Sequence, residues 1–366
     1  MVGTIGVVQP CVSKSCGVYL LLALIACPVS GESVLQEMAG EFSGNGGLAV
    51  FLDCDDFSKI AGATAGESWL VHCLYRDPET VAAARDFYQS RGIHGRVTAD
   101  SLSSNGLPYV DNLVNVLVVG DFTVFGRQGL NAGEIARCLA PRGKVCLPDS
   151  PKTASVTREL AAAGFSQENG PDRRHVLVKP YPGEMDEWTH YMHSANGNAV
   201  SQDSMIGVSR HLRWAAEPLW ARHHDFTPSV SAMVTAGGRI FYIIDEAPPG
   251  IAKMPGRWSL VARDAFNGVL LWKVPIKDWG WRAWKPSWFT PRPGAIPLNM
   301  PKRLVAAGDK VYVTLGYRAA VSELDARTGE VLQTYEGTDR TAEILYREGK
   351  LVLTPVSYTH LTLPTN

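Results

Sequence analysis

Neither an excess of charge of one sign nor a long hydrophobic run is present in this sequence. Charged residues are 19% of the 366 residues, and the formal net charge is -1. Composition therefore supplies no basic surface, and no nucleic-acid partner is predicted. The apolar run over residues 18–26 is shorter than the roughly 20 residues that a membrane-spanning helix needs. Disorder is excluded because 45% of the residues are hydrophobic.

Cysteine is missing from the C-terminal part of the chain. None of the seven cysteines lies beyond residue 146, none forms a Cys-x-x-Cys pair, and none has a zinc-ligand spacing with histidine. A disulfide framework is therefore excluded for the region after residue 146. The four internal cysteines fall on predicted strands and helices, where a free thiol packs as a small apolar group. They are Cys54, Cys73, Cys138 and Cys146.

The N-terminus has the pattern of an export signal, predicted over residues 1–31. Lys14 precedes the apolar run, and small residues follow it. Leu24–Cys27 resembles a bacterial lipobox, which would leave a lipid on Cys27, whereas the small residues at 29–31 suit ordinary signal peptidase. A buried first helix is the other interpretation. We predict an exported protein that is periplasmic, anchored to the outer membrane through the lipid, or secreted.

Strands and helices alternate over residues 33–180. Asp77 precedes Pro78, which is the pairing of a helix N-cap with the first helical position. The alternation predicts βαβ units and a doubly wound sheet. Apolar strands are predicted near residues 48–52, 69–74, 113–119, 143–147 and 175–178, and helices from Asp77, Asn131 and Ser150.

This order of elements resembles a class I S-adenosylmethionine-dependent methyltransferase domain. The segments that carry the resemblance are the helix after Asp77, Leu107–Tyr109 with the strand at 113–121, and residues 139–143. The resemblance implies a Rossmann-like α/β fold. It also implies S-adenosylmethionine (SAM) as a cofactor, held by the loop after the first strand.

That loop departs from the family pattern. Asp53, Asp55 and Phe57 stand where the family has glycines that let the backbone approach the cofactor. Tyr75 stands where the family has an acid for the ribose, and Asp77 is better explained as a helix cap. We therefore interpret the domain as a degenerate methyltransferase fold. The residual candidates for cofactor contact are Asp53, Asp55, Asp77 and Asp100.

A connection over residues 181–199 carries the next candidate site. Glu187, His190 and His193 recur every three residues, so a helix would place them on one face. These residue types suit a metal site. The alternative is a polar connection whose histidines bond to the backbone. The candidate ligands are His190, His193, His223 and His224.

Residues 200–355 change to short strands punctuated by turns, with an internal repeat. Residues 234–243 match 304–313, and residues 344–353 form a weaker copy. Each copy is predicted to be a strand, a tight turn and a strand. A second unit pairs Asp264 with Gly268 and, in its next copy, Asp325 with Gly329. We predict that each Asp bonds turn amides and that each Gly supplies a positive φ.

The second unit resembles the quinoprotein-alcohol-dehydrogenase-like β-propeller, whose signature is Ala-x-Asp-Ala-x-Thr-Gly-x-x-x-Trp. The first copy ends in Trp272, and the second has Gln333 at that position. The resemblance implies an all-β propeller and, for some members, pyrroloquinoline quinone (PQQ). The 156 residues from 200 to 355 hold only three or four blades of about 40–50 residues each, so the propeller is predicted to be incomplete. Residues 356–366 resemble translated sequencing adaptor and are interpreted as non-native.

An aromatic segment lies between the repeats. It suits either a planar ligand or sugar, or an insertion packed across the sheets. Its tryptophans are Trp279, Trp281, Trp284 and Trp288.

Together these features predict an exported propeller scaffold with a degenerate methyltransferase-like domain. The predicted partner is a cell-envelope protein or a small ligand, with membrane contact only through a lipid on Cys27. Two alternatives remain: a quinoprotein-type oxidoreductase whose site lies in further blades, and an active SAM-dependent methyltransferase.

Overall fold

The computed structural model describes residues 46–63, 68–102, 106–121, 130–169, 174–208, 211–220, 229–249, 254–284 and 297–355. The predicted signal, Cys11, Cys16, Cys27 and the tail at 356–366 lie outside these ranges.

The first unit alternates strands and helices. Its strands are β1 (Gly47–Leu52), β2 (Trp69–Tyr75), β3 (Val97–Ser101), β4 (Val114–Val119), β5 (Leu139–Leu147), β6 (Ser166–Asn169) and β7 (His175–Val178). Its helices are α1 (Phe57–Ala63), α2 (Pro78–Ser90), α3 (Ala132–Cys138) and α4 (Thr153–Ala162).

The strands form one seven-stranded sheet in the order β3-β2-β1-β4-β5-β7-β6. The pairs from β3 to β5 are parallel, and β7 is antiparallel to both β5 and β6. The order 3-2-1-4-5 is that of the doubly wound Rossmann sheet. Apolar residues of α1 and α2 pack on one face, and those of α3 and α4 pack on the other. The predicted α/β Rossmann-like fold is confirmed.

Local chemistry explains the helix starts. The Asp77 carboxylate accepts hydrogen bonds from the amides of Glu79 and Thr80, so Asp77 caps α2 as predicted. One face of α2 is buried through Val81, Ala84 and Tyr88. α3 begins after Asn131, whose side chain accepts a bond from an amide in the first turn.

The second unit is all-β. It has a four-stranded antiparallel sheet, a second such sheet and a hairpin. The strands are β8 (Val230–Ala236), β9 (Arg239–Asp245), β10 (Trp258–Asp264) and β11 (Leu270–Pro275), then β12 (Leu304–Ala307), β13 (Lys310–Thr314), β14 (Val321–Asp325) and β15 (Val331–Tyr335), then β16 (Thr341–Arg347) and β17 (Lys350–Pro355). A short helix, α5 (Trp281–Trp284), and a 3-10 helix (Pro301–Arg303) connect the first two sheets.

Among the first strands of the three sheets, β12 packs next to both β8 and β16. One large apolar cluster joins the first sheet to the second. The repeat copies fall on the predicted hairpins, β8–β9, β12–β13 and β16–β17. The described residues of this unit hold two four-stranded sheets and one hairpin, which do not close into a ring. No helix within the described ranges is long and apolar enough to cross a membrane.

Candidate functional site

The crevice at the carboxyl ends of β1 and β4 is where a doubly wound sheet binds its ligand. Here Asp53 follows β1 with a φ of 45°, a left-handed conformation that Asp tolerates better than most residues. Its carboxylate accepts a 3.0 Å hydrogen bond from the Arg76 amide and forms an ion pair with the Arg76 guanidinium. Arg76 also reaches Asp121 at 3.3 Å. These three side chains, here called the crevice cluster, lie at the carboxyl ends of β1, β2 and β4.

The two strand ends are also close together. The Gly120 amide donates to the Leu52 carbonyl at 2.8 Å. A Cβ on Gly120 would collide with the Asp53 carbonyl oxygen, so only glycine fits there. At this end of the sheet the backbone after β4 therefore hydrogen-bonds to the backbone at the end of β1.

The other candidate cofactor residues have separate surroundings. Asp55 is exposed just before α1. The Thr80 side chain and amide hold the pKa of Asp77 below its usual value, as in a helix cap. Asp100 bonds to His72 Nε2 at 3.1 Å and forms an ion pair with Arg85. The structure thus does not gather these carboxylates around one ligand position.

Two further positions of the loop face the core. The Phe57 ring packs against Tyr75 and Tyr88, with ring centroids 5.8 and 6.0 Å apart. Burial raises the pKa of Cys54 to about 12, and its Sγ lies 3.5 Å from the Leu52 carbonyl oxygen. A thiol with so high a pKa is not a nucleophile at neutral pH.

The segment with the candidate metal ligands is not helical. His190 Nε2 accepts the Tyr346 amide at 3.1 Å, and its Nδ1 lies 2.8 Å from Thr189 Oγ1. His193 Nε2 donates to the Asp186 carboxylate at 2.7 Å. Both imidazole rings therefore have hydrogen-bond partners within the chain. His190 bonds to the backbone, as the alternative of a polar connection predicts. His223 and His224 lie outside the described residues, among which no three ligating side chains cluster.

Residues 188–190, here called the hub, bond to the first strand of each sheet. Thr235 of β8 donates its amide to Trp188 O at 2.8 Å, and the Trp188 amide donates to Thr235 Oγ1. Ala306 of β12 donates to Thr189 O at 3.0 Å, and β16 meets His190. Sequence reasoning missed this role. Each contact joins residues far apart in the chain and has a backbone group on at least one side, so residue type alone does not encode it.

The repeat turns have the geometry that their spacing predicts. Asp264 Oδ1 accepts the amides of Phe266 and Asn267 at 2.8 and 3.0 Å, and Gly268 has a φ of 76°. Asp325 Oδ1 accepts the amides of Arg327 and Thr328 at 2.7 and 3.2 Å, and Gly329 has the same φ.

Each of these turns supports a tryptophan from an earlier part of the chain. Trp272 donates its indole N–H to Ala326 O at 3.0 Å and covers Gly329. Trp214 donates to Ala265 O at 3.0 Å and covers Gly268. Sequence reasoning missed Trp214. The available signal was the resemblance between residues 212–218 and the strand that contains Trp272.

A polar network joins the two units. Asn115 of β4 donates from Nδ2 to Asp264 Oδ2 at 2.7 Å and accepts at Oδ1 from Asn267 at 2.6 Å and from the Leu48 amide at 2.7 Å. Ser68 adds a bond to Leu271 O at 2.7 Å. Burial raises the pKa of Asp264. The signal that sequence reasoning passed over is an asparagine inside an otherwise apolar strand.

The aromatic segment is packed inward where it is described. Trp279 and Trp284 are buried, and Trp279 donates to Ser231 Oγ at 3.3 Å. The Trp258 and Trp284 rings lie 5.9 Å apart. This packing agrees with an insertion across the sheets. Trp288 lies outside the described residues.

No protein-family model and no curated protein matches the chain. A protein of Methanococcus maripaludis whose structure is described as that of a putative SAM-dependent methyltransferase is 10% identical, with a TM-score of 0.36 over 42% of this chain and 86% of its own. One from Aquifex aeolicus is 15% identical, with a TM-score of 0.32 over 40% and 87%. Geranyl diphosphate methyltransferase, solved in complex with SAM, is 11% identical, with a TM-score of 0.32 over 40% and 82%. These similarities do not assign an activity to the chain.

Proposed function

We propose that this protein is an exported, propeller-type scaffold whose methyltransferase-like domain serves as a structural and docking module and does not use SAM. The observation that carries the proposal is the crevice cluster. Asp53, Arg76 and Asp121 satisfy one another at the place where the cofactor would bind.

The ion pairs of the crevice cluster oppose SAM in this crevice, because a ligand beside Asp53 has to displace Arg76. The SAM carboxylate would be repelled by Asp53 and Asp121, whereas its ammonium and sulfonium groups would be attracted to them, so the argument rests on the cost of breaking the cluster. Moving Arg76 away would leave the Asp53 carboxylate, whose side chain is 11% exposed, without its partner. Because the Arg76 side chain is 34% exposed and the Arg76 amide still donates to Asp53, the cost is below the roughly 3–5 kcal/mol of breaking a fully buried ion pair. The free amides that normally receive such ligands are also used, as at Gly120.

The propeller part of the proposal is supported by the arrangement of the sheets. The first strand of each of the three sheets hydrogen-bonds to the hub. A tryptophan ring covers a turn glycine in the same way at Gly268 and at Gly329. Consecutive antiparallel sheets with equivalent neighbours are the pattern of propeller blades. Blade faces present loops around one axis, which suits binding of a cell-envelope protein or a small ligand.

The quinoprotein alternative receives less support. The hub hydrogen-bonds to the ends of β8 and β12 that precede their hairpin turns, where a ligand between the first strands would lie. No cysteine follows residue 146, so these sheets cannot form a disulfide beside a quinone.

Titration calorimetry of the purified chain tests the proposal. We expect no binding heat with SAM up to millimolar concentration, and none with PQQ in the presence of calcium. Micromolar SAM affinity would overturn the proposal in favour of a methyltransferase. Micromolar PQQ affinity would overturn it in favour of an oxidoreductase.

A further inference from the structure

Five Asn-Gly pairs occur in the sequence, and two of them lie wholly within the described residues. They are Asn196–Gly197 and Asn267–Gly268. Asparagine is chemically labile, and most so before glycine, because glycine has no Cβ to shield its amide nitrogen from the asparagine side chain. The two pairs have the same chemistry, so any difference in their reactivity comes from their surroundings.

The first pair lies at the tip of an exposed loop. Residues 196–200 are all exposed. Asn196 Oδ1 accepts the Asn198 amide at 2.8 Å, and the Gly197 amide donates to Ser194 O at 3.0 Å. Both bonds join residues of one short turn. A local motion of the loop tip therefore breaks them without disturbing any strand.

Both ends of this loop are held by one carboxylate. Asp186 Oδ2 accepts His193 Nε2 at 2.7 Å before the tip. After the tip it accepts Ser201 Oγ at 3.1 Å and the Gln202 amide at 2.6 Å. A chemical change at residue 196 therefore leaves the attachment of the loop intact.

The second pair has contacts that reach across the molecule. Asn267 Nδ2 donates to Leu113 O at 3.0 Å and to Asn115 Oδ1 at 2.6 Å. The Gly268 amide donates to Asp264 O at 2.9 Å within the repeat turn. A reaction of the Asn267 side chain would require it to leave Asn115 and the polar network that joins the two units. The fold therefore protects this pair.

We propose that Asn196 is a site of spontaneous deamidation, with water as the co-reactant and aspartate and isoaspartate as the products. The Gly197 amide nitrogen forms a bond to Asn196 Cγ, and the side-chain nitrogen leaves as ammonia with the amide proton. Water then opens the resulting succinimide ring. Cleavage of the C–N bond at Cγ gives aspartate, and cleavage at the main-chain carbonyl carbon gives isoaspartate.

The modification adds one negative charge to the loop tip. The site lies outside the crevice cluster and does not depend on the proposed scaffold function.

Peptide mapping by mass spectrometry tests this site. The wild-type chain is incubated at mildly alkaline pH, once folded and once in guanidinium chloride. We expect Asn196 to convert at least about tenfold faster than Asn267 in the folded chain, and the two to convert at similar rates in the denaturant. The proposal is wrong if Asn267 converts as fast as Asn196 in the folded chain. It is also wrong if Asn196 stays intact there while both convert in the denaturant.

Two variants assign the rates to the local structure. A Cβ on Gly197 would meet no atom within 4 Å, so Gly197→Ala has room in the loop and should slow the conversion of Asn196 by about tenfold. Asn115→Ala removes an acceptor of Asn267 and should speed the conversion of Asn267 by about tenfold, with Asn196 unchanged. Wild-type rates in both variants would contradict the assignment.

A third variant, Asn196→Asp, reproduces the aspartate product. It should keep the wild-type unfolding midpoint, because Asp186 still holds both ends of the loop. A lowered midpoint would contradict the separation of the reactive tip from the attachment of the loop.

Discussion

At the scale of single residues, burial changes the pKa values of ionisable side chains in this structure. His190 is the clearest example, because the residue is 6% exposed and its ring accepts the backbone amide of Tyr346 in β16. Burial lowers the pKa of His190 to about 4, from an ordinary value of 6.5; the Glu343 carboxylate opposes this shift, and His193 adds to it. The folded state therefore binds this proton less readily than the unfolded state does.

This histidine makes stability depend on pH. A depressed histidine pKa means that its contribution is complete above pH 6.5 and is lost as pH falls toward 4. The loss amounts to about 3 kcal/mol. Urea unfolding at pH 7.5, 6, 5 and 4.5 should show this decline in the wild type and a flatter one in His190→Gln. Identical pH profiles for the two proteins would contradict the assignment.

Two glycine-to-alanine substitutions can separate the cost of a positive φ from the cost of a side-chain clash. Gly268 and Gly349 have nearly equal φ values of 76° and 77°, but only Gly268 is covered by a ring, with Trp214 carbon 2.5 Å from a built Cβ. Gly349→Ala should cost about 1–2 kcal/mol from φ alone. Gly268→Ala should cost about 1–3 kcal/mol more, because Trp214 must move. Equal unfolding free energies for the two variants would contradict a role for Trp214 in packing over Gly268.

At the scale of elements, the sequence predicted those whose signal is local. Asp77 and Pro78 mark the start of α2, and the spacing of Asp264 and Gly268 defines a turn. Strand β6 carries Ser-Gln-Glu-Asn, which has no apolar alternation, so pairing with β7 alone makes it a strand. The crevice cluster was predicted only in part. The sequence showed that Asp53 stands where the family has a glycine. It did not show that Arg76 pairs with Asp53, because that contact depends on the pairing of β1 with β2.

The tryptophan contact couples one sheet to the next. Trp272→Phe removes the bond to Ala326 O and part of the cover over Gly329. We expect hydrogen-exchange protection to fall in β14 and β15, by about tenfold for a loss of roughly 1.4 kcal/mol, and to remain unchanged in β1 and β4. A uniform fall across both units would show that the contact has no special link to the second sheet.

At the scale of the whole molecule, the α/β unit and the first sheet are joined by a buried polar network. Asn115 bonds Asp264 and Asn267 at once, so its loss leaves a buried carboxylate short of a donor. No sequence pattern specifies this pairing across the two units.

Asn115→Ala should therefore uncouple the units. Hydrogen bonds to charged groups contribute about 1.5–3 kcal/mol each. Scanning calorimetry should show one transition for the wild type and two for Asn115→Ala, while the exposed control Asn198→Ala should resemble the wild type. A single transition in Asn115→Ala at an unchanged midpoint would show that the network does not hold the units together.

The central claim is that the crevice of the α/β unit is closed by its own side chains. A crystal structure of the chain grown with millimolar SAM tests it most directly. We predict that Asp53, Arg76 and Asp121 remain bonded to one another, with no ligand density beside them. SAM lying next to Cys54, with Arg76 turned away from Asp53, would contradict the account.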